Sequence, residues 1–234
     1  FTFTVTDNDG DSASASTTAT VGATDTSGLN ADTVQSSDAD VASGTARDVT
    51  VNGLPAGAQL AEGTYTGAYG TITVDADGKA TYTQTGLYDH TGVGSGTDAK
   101  TGADSITIKV ELADGTTVEV TVGVDIADDV PSISVDTPAT GAYGSEITGS
   151  VDMAFGADGE KSVTVKLGNE TVTGTKGTDG NYTFTFADGT VLTLNGSNGD
   201  FSYNGLPASG SDTSYDFTFT VTDNDGDSAS ASTT

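Results

Sequence analysis

The eighteen residues Phe1 to Thr18, FTFTVTDNDGDSASASTT, recur letter for letter as Phe217 to Thr234. Identity of that length does not arise by chance. The chain therefore reads as one full period of a tandem array plus an overlap, with an offset of 216 between Phe1 and Phe217. Fixed-period self-similarity constrains architecture before any local pattern does, because repeated units string or stack against their neighbours. It favours a role in length and spacing over catalysis, which rarely needs many identical copies in a row. The chain starts inside a repeat and without a Met, so it reads as a piece of a longer protein.

Local pattern points to β structure. Ile106, Ile108 and Val110 alternate with polar residues, and so do Val118, Val120, Val122, Val124 and Ile126. Between them lies Ala113-Asp114-Gly115, and two alternating runs around Asp-Gly are a strong hairpin signal. Phe217, Phe219 and Val221 repeat the design around Asn224-Asp225-Gly226. Further strands are expected over Ile72–Val74, Thr81–Thr83, Val163–Leu167, Tyr182–Phe186 and Val191–Leu194. More Asp-Gly turns fall at Asp77, Asp158, Asp179 and Asp188. Helical segments at 3.6-residue spacing are missing. Many short strands with frequent turns read as all-β sandwiches.

A weaker repeat is nested in the long one. Ser105 to Asp129 matches the design of Asp216 to Thr234, and Gly-Leu-Pro occurs at Gly53 and again at Gly205. The N-terminal copy continues its hairpin through Thr18 to Asp25. The period thus holds two related sandwiches of about 105 residues, an ordinary domain size. The expected division is 1–25 as the C-terminal hairpin of a preceding repeat, 26–129 as the first β-sandwich, and 130–234 as the second, with its last strand cut short. Pro131 makes a stiff start to the second unit.

Charge narrows the function. Lys and Arg number 7 against 34 Asp and Glu, for a net charge of −27. Phosphate contacts need basic patches, so nucleic acid and anionic membranes are excluded as partners. The acids are mostly Asp, whose short side chain folds onto turns and reaches cations held near the backbone. This much like charge opposes a compact state unless something offsets it. A bound divalent cation would do so; a solvated acidic surface is the other reading. There is no Cys, so neither disulfides nor thiolate metal sites are available.

The candidate cation site is the pair of clusters Asp128-Asp129 and Asp223-Asn224-Asp225-Gly226-Asp227. In an Ig-like sandwich the first strand starts at one pole and the last ends at the other. The turn between the last two strands then lies beside the N-terminal linker. By the same count the Ala157-Asp158-Gly159-Glu160 loop shares that pole. Calcium takes six to eight hard oxygen ligands at about 2.3–2.6 Å, which five or six converging carboxylates would supply. The motif is not an EF-hand, since Gly falls at the fourth loop position and no Glu follows at the twelfth. As a bare turn, Asn-Asp-Gly provides the positive-φ conformers a hairpin needs. Asp25 with Asp114 is the weaker equivalent joint before the first sandwich. Asp7 and Asp9 are the N-terminal copies of Asp223 and Asp225. Asp75-Ala76-Asp77-Gly78 reads as a turn between paired strands.

Catalysis finds little support. His90, in Tyr88-Asp89-His90-Thr91-Gly92, is the only His and reads as a surface residue of a polar loop. No Gly-x-Ser-x-Gly elbow accompanies it. Turn-borne, solvated Asp residues do not offer the apolar pocket that a glycosidase acid requires. Tyr65, Tyr69, Tyr82 and Tyr143 are candidates for a sugar platform or, more simply, for a core edge. A module binding carbohydrate or protein is the alternative function, and it predicts an exposed aromatic or apolar patch.

VTDNDGDSASAS, YGTITVDADGKATYT (Tyr69 to Thr83), the ADDVPSI junction and GSVDMAFGADG (Gly149 to Gly159) together resemble the extender repeats of giant RTX-type bacterial adhesins exported by type I secretion, with VCBS-like, cadherin-like and bacterial Ig-like modules. The resemblance spans essentially the whole chain. It implies a monomeric, non-catalytic extender on the bacterial cell surface, serving attachment and biofilm formation. Tandem Ig-like or cadherin-like sandwiches would form an extended rod whose joints are stiffened by calcium, with neighbouring repeats of the same chain as partners. The family's Gly-Gly-x-Gly-x-Asp nonapeptides are absent here.

Overall fold

The computed structural model describes residues 1–19, 22–90, 98–207, 209 and 214–234, and over them the chain is almost entirely β. Strands β1 (Thr2–Thr6) and β2 (Ser12–Ser16) pair with each other as a separate hairpin. The expected continuation of this hairpin to Asp25 includes residues 20 and 21, outside the described set. No helix among the described residues is long and apolar enough to cross a membrane.

Next come β3 (Asn30–Ala31), β4 (Val34–Ser37), the short helix α1 (Ala39–Ser43), β5 (Ala46–Val49), β6 (Val51–Asn52), β7 (Gln59–Leu60), β8 (Gly63–Thr66), β9 (Gly70–Val74), β10 (Ala80–Gln84), β11 (Ala99–Glu111) and β12 (Thr117–Ala127). One four-stranded sheet runs β5-β10-β9-β8 and another β4-β12-β11-β7, with β3 and β6 as a small ladder. Val49, Ile72 and Tyr82 from the first sheet and Ile108, Val122 and Ile126 from the second share one core. The two sheets therefore form a sandwich. Its central hairpin pairs Ile106 with Val122 and Ile108 with Val120. The Asp114-Gly115 turn that closes it uses Gly115 at φ 79°, a conformation that costs a side-chain-bearing residue free energy.

A second core draws on β13 (Ser132–Thr140), β14 (Ile147–Ala154), β15 (Glu160–Leu167), β16 (Glu170–Thr173), β17 (Thr175–Lys176), β18 (Tyr182–Thr185), β19 (Val191–Leu194), β20 (Asp200–Tyr203), β21 (Phe217–Asp223) and β22 (Ser228–Thr233). Here a six-stranded sheet, β13-β14-β20-β19-β18-β17, faces the four strands β16-β15-β21-β22. Val151, Phe184 and Phe201 meet Val163, Val165 and Phe219 between them.

Two details position the site. β4 and β12 pair in parallel, with Ser36 opposite Ile126, so both strands end at the same pole. The inward phase of several strands also runs on into Asp. After Val120, Val122, Val124 and Ile126 the next inward position is Asp128, and after Phe217, Phe219 and Val221 it is Asp223. Alternation of period two leaves those carboxyls no route to solvent along the strand face.

Candidate metal centre at the linker

Asp128, Asp158 and Asp225 each place one carboxylate oxygen within 4.8 Å of the others. Asp128 follows β12, Asp158 sits in the loop between β14 and β15, and Asp225 lies in the β21–β22 turn. The last two come together because Asn224 Nδ2 donates to the Asp158 carbonyl at 2.7 Å, fastening turn to loop. Asp129, the next linker residue, holds the same loop from the other side: its Oδ2 accepts the Ala157 N–H at 2.9 Å. Asp223 closes the turn, its Oδ1 accepting the N–H groups of Gly226 and Asp227 at 3.0 and 2.7 Å. Asp227 is buried beside it.

A second group meets the first at Asp128. Asp38, His90 and Asp128 are all buried, with one ligand atom each within 4.8 Å of the others. Asp38 follows β4 and Asp128 follows β12, so the parallel pairing brings them side by side; Asp38 N–H donates to the Ala127 carbonyl at 3.0 Å. Asp38 Oδ1 accepts from Gln84 Nε2 at 2.6 Å and from the Tyr88 N–H at 2.9 Å. Its Oδ2 lies 3.0 Å from His90 Nε2, near enough for an ion pair but without hydrogen-bond alignment. The surface reading of His90 is thus corrected: only 2% of the side chain is exposed. Tyr88 packs edge-on against its ring, with centroids 5.0 Å apart. The rest of that loop, from Thr91, lies outside the described residues.

Orphaned oxygens mark the pole. Asp38 Oδ2, Asp129 Oδ1, Asp158 Oδ2, Asp223 Oδ2 and Asp225 Oδ1 are buried without a hydrogen-bond partner. Buried polar atoms are normally satisfied, and charged ones at greater need. Burial, then the Asp225 charge, pushes Asp128 up to about 7. The same two causes raise Asp158 to about 6, and burial followed by contact with Asp225 raises Asp223 to about 6. Burial also raises Asp38. These are carboxylates crowded against one another with too few donors. The Asp128–Asp158–Asp225 group offers only hard oxygen, which suits a hard divalent cation such as calcium, whereas the Asp38–His90–Asp128 group includes an imidazole and does not. Asp128, Asp158 and Asp225 would hold it, with Asp129 and Asp223 oxygens beside them.

Other expected ligands are engaged elsewhere. Glu160, counted toward the same pole, is ion-paired with Lys176. Asp25 is exposed, and its Oδ1 accepts the Ser27 N–H at 2.9 Å. Asp114 is likewise exposed, accepting both the N–H and the hydroxyl of Thr116. These local bonds lower both carboxyls, and among the described residues neither belongs to a metal-sized group. Asp7 and Asp9 do form such a group with Asp11, fully exposed in the β1–β2 turn. Asp75 caps its turn by accepting from Asp77 and Lys79. Of the tyrosines, Tyr82 is buried, Tyr65 and Tyr69 pack on the first core, and Tyr143 is exposed. They do not share a surface platform.

Asp38 and Asp104 are buried acids that pattern reading passed over. Asp104 is structural: its carboxylate accepts the N–H groups of Ala68, Tyr69 and Ser105. The available signal was phase. Asp38 falls in step with Val34 and Ser36, and Asp104 in step with Ile106 and Ile108.

No protein-family model matches the chain, and no curated protein matches it. Among solved structures it is similar to the crystal structure of murine CEACAM1b, at 11% identity over 88% of this chain and 96% of that one. The TM-score is 0.24, too low to carry an argument.

Proposed function

We propose that this chain is a non-catalytic extender segment of a large bacterial surface adhesin, its Ig-like or cadherin-like sandwiches strung in a rod and stiffened by calcium at the linker. One observation carries the reading: carboxylates from the linker, from the loop after β14 and from the β21–β22 turn converge with buried, unpartnered oxygens. A divalent cation there neutralises the repulsion and ties the linker to the second sandwich. Because the linker runs directly from β12 into β13, fixing Asp128 and Asp129 on that pole fixes the angle of the joint. Export by type I secretion, attachment and biofilm formation follow from the family resemblance, as does the extracellular location. Extracellular calcium modules bind at roughly 10⁻⁴–10⁻³ M, so the chain would stay poorly stabilised in the cytosol and gain stability outside as the site fills.

The full chain should bind calcium by titration calorimetry and melt higher in millimolar calcium than in chelator, with magnesium a weak substitute. Small-angle scattering should show a longer, less variable particle with calcium. Identical melting with calcium and chelator would overturn the calcium-stiffened reading.

A module for carbohydrate or protein is the second reading. A trough of about 900 Å³ on the six-stranded sheet favours it, lined by Thr148, Ser150, Asn181, Thr183 and Asn195 among others. The trough offers hydrogen-bonding groups but no exposed aromatic ring, and stacking is what holds a sugar face.

A further inference from the structure

Three side chains at the end of the first sandwich converge in a way that calcium does not explain. Asp38, His90 and Asp128 are 0%, 2% and 4% exposed, and each brings one ligand atom within 4.8 Å of the other two. Asp38 follows β4 in one sheet, His90 lies beyond β10 of the other, and Asp128 opens the linker. Both imidazole nitrogens and Asp38 Oδ2 are buried without a hydrogen-bond partner. Buried polar atoms are ordinarily satisfied, so three orphans on two touching side chains need a cause.

The contact between those side chains points to one. His90 Nε2 lies 3.0 Å from Asp38 Oδ2, yet no hydrogen bond forms between them. The distance suffices, so it is the direction that fails. Two atoms this close that do not aim at each other are placed as ligands of a common third atom would be. Around a tetrahedral zinc with ligands at about 2.0–2.1 Å, neighbouring ligand atoms stand about 3.3 Å apart.

Asp38 is also held as ligating carboxylates are held, by hydrogen bonds to its other oxygen. Its Oδ1 accepts from Gln84 Nε2 and from the Tyr88 N–H, which leaves Oδ2 facing His90. Gln84 is buried and fixed in turn: Ser36 Oγ donates to its Oε1 at 2.7 Å, and its Nε2 also reaches the Gly86 carbonyl at 3.0 Å. Arg47, on β5 beside β10, is committed to Asp40 at 2.7 Å. Two buried carboxylates with a neutral imidazole carry two negative charges, which one divalent cation balances.

We propose that Asp38 Oδ2, His90 Nε2 and a carboxylate oxygen of Asp128 form a second cation site, for a divalent metal of the zinc class. Such metals take mixed imidazole and carboxylate ligands, whereas calcium takes oxygen. Three protein ligands leave a fourth tetrahedral position to water. The ion would tie both sheets of the first sandwich to the linker, as the proposed calcium would tie the linker to the second sandwich. Asp128 belongs to both groups and is their shared post. The inference goes beyond the calcium reading and does not rest on it, because Asp38 and His90 lie outside the Asp128–Asp158–Asp225 group.

The test uses the full chain, stripped with chelator and titrated with zinc chloride. His90 is the only His in the sequence, so its ring nitrogens give single, unambiguous nitrogen-15 NMR signals. Zinc should shift the Nε2 signal several-fold more than calcium does, with saturation at an equimolar ratio. An imidazole that zinc moves no more than calcium does would overturn the proposal. This measurement needs no variant, so it stands even where a substitution folds poorly or the chain binds no calcium.

Calorimetry on two variants separates the sites. H90Q should weaken zinc binding by at least the roughly 10–100-fold that losing even an outer partner of a metal ligand costs, and calcium binding should persist. D225N should weaken calcium binding and keep zinc. Zinc affinity that survives H90Q, or that is lost with D225N, would assign the zinc to the calcium carboxylates and overturn the proposal.

Discussion

A Cβ on Gly156 would stand 1.9 Å from Asp129 Oδ1. The absence of a side chain there is what lets the linker carboxylate enter the loop and accept the Ala157 N–H. Gly156 also has φ 72°, which costs an L-residue about 1–2 kcal/mol. Gly156→Ala should therefore lower the chelator melting temperature of the second sandwich by about 4–15 °C, at 4–8 °C per kcal/mol for a domain near this size. It should also shrink the rise produced by calcium, because Asp129 must move. Circular dichroism melts with and without calcium read both effects.

Asp225 should act in opposite directions with and without cation. Its charge contributes to the raised values of Asp128, Asp158 and Asp223. Asp225→Asn removes that repulsion, so the variant should melt a few degrees higher than the parent in chelator. In calcium it should melt lower, having lost a ligand charge. At 100-fold saturation a cation contributes about 2.7 kcal/mol, on the order of 10–20 °C here. A variant that melts lower in both conditions would assign Asp225 a purely structural role.

The same crowding sets a pH dependence. Asp128 titrates at about 7 and Asp158 and Asp223 at about 6 in the folded chain, against 3.8 unfolded. Between those values the native state holds more protons than the unfolded one, so stability falls as pH rises. In chelator, the second sandwich should be more stable at pH 5 than at pH 7.5. Calcium displaces the protons and should flatten or reverse that slope. Urea midpoints at the two pH values, in chelator and in calcium, measure it.

His90 fills a buried position in the first sandwich. His90→Ala would open a cavity beside Tyr88 and Asp38 in a buried site. The expected loss is about 1–3 kcal/mol for a cavity left in a packed site, read as a lower melting temperature of the first sandwich. A surface His would change stability by less than about 0.5 kcal/mol.

Much of the fold was legible because alternation and turn chemistry are local. Ile106 to Val110, Val118 to Ile126 and Phe217 to Val221 needed only period two and an intervening Asp-Gly to be read as hairpins. The meeting of Asp128, Asp158 and Asp225 followed from strand direction, since each antiparallel step returns the chain to a known pole. Asp38 and His90 were not legible in the same way. Asp38 reaches Asp128 through a parallel pairing between strands far apart in sequence, and nothing near Val34 announces that partner. His90 sits among polar neighbours in sequence, yet the fold covers it with Tyr88 and Asp38.

By itself the sequence determined the strand phases, the turns, the repeat and the placement of Asp at the inward ends of β12 and β21. Tertiary structure alone decided burial. Phe3 and Phe219 have the same eighteen-residue context and the same internal hairpin, but one is 66% exposed and the other fully covered. A strand's pattern states which face is apolar; whether that face leaves water depends on a second sheet arriving to cover it, and that is a property of the contacts between distant segments.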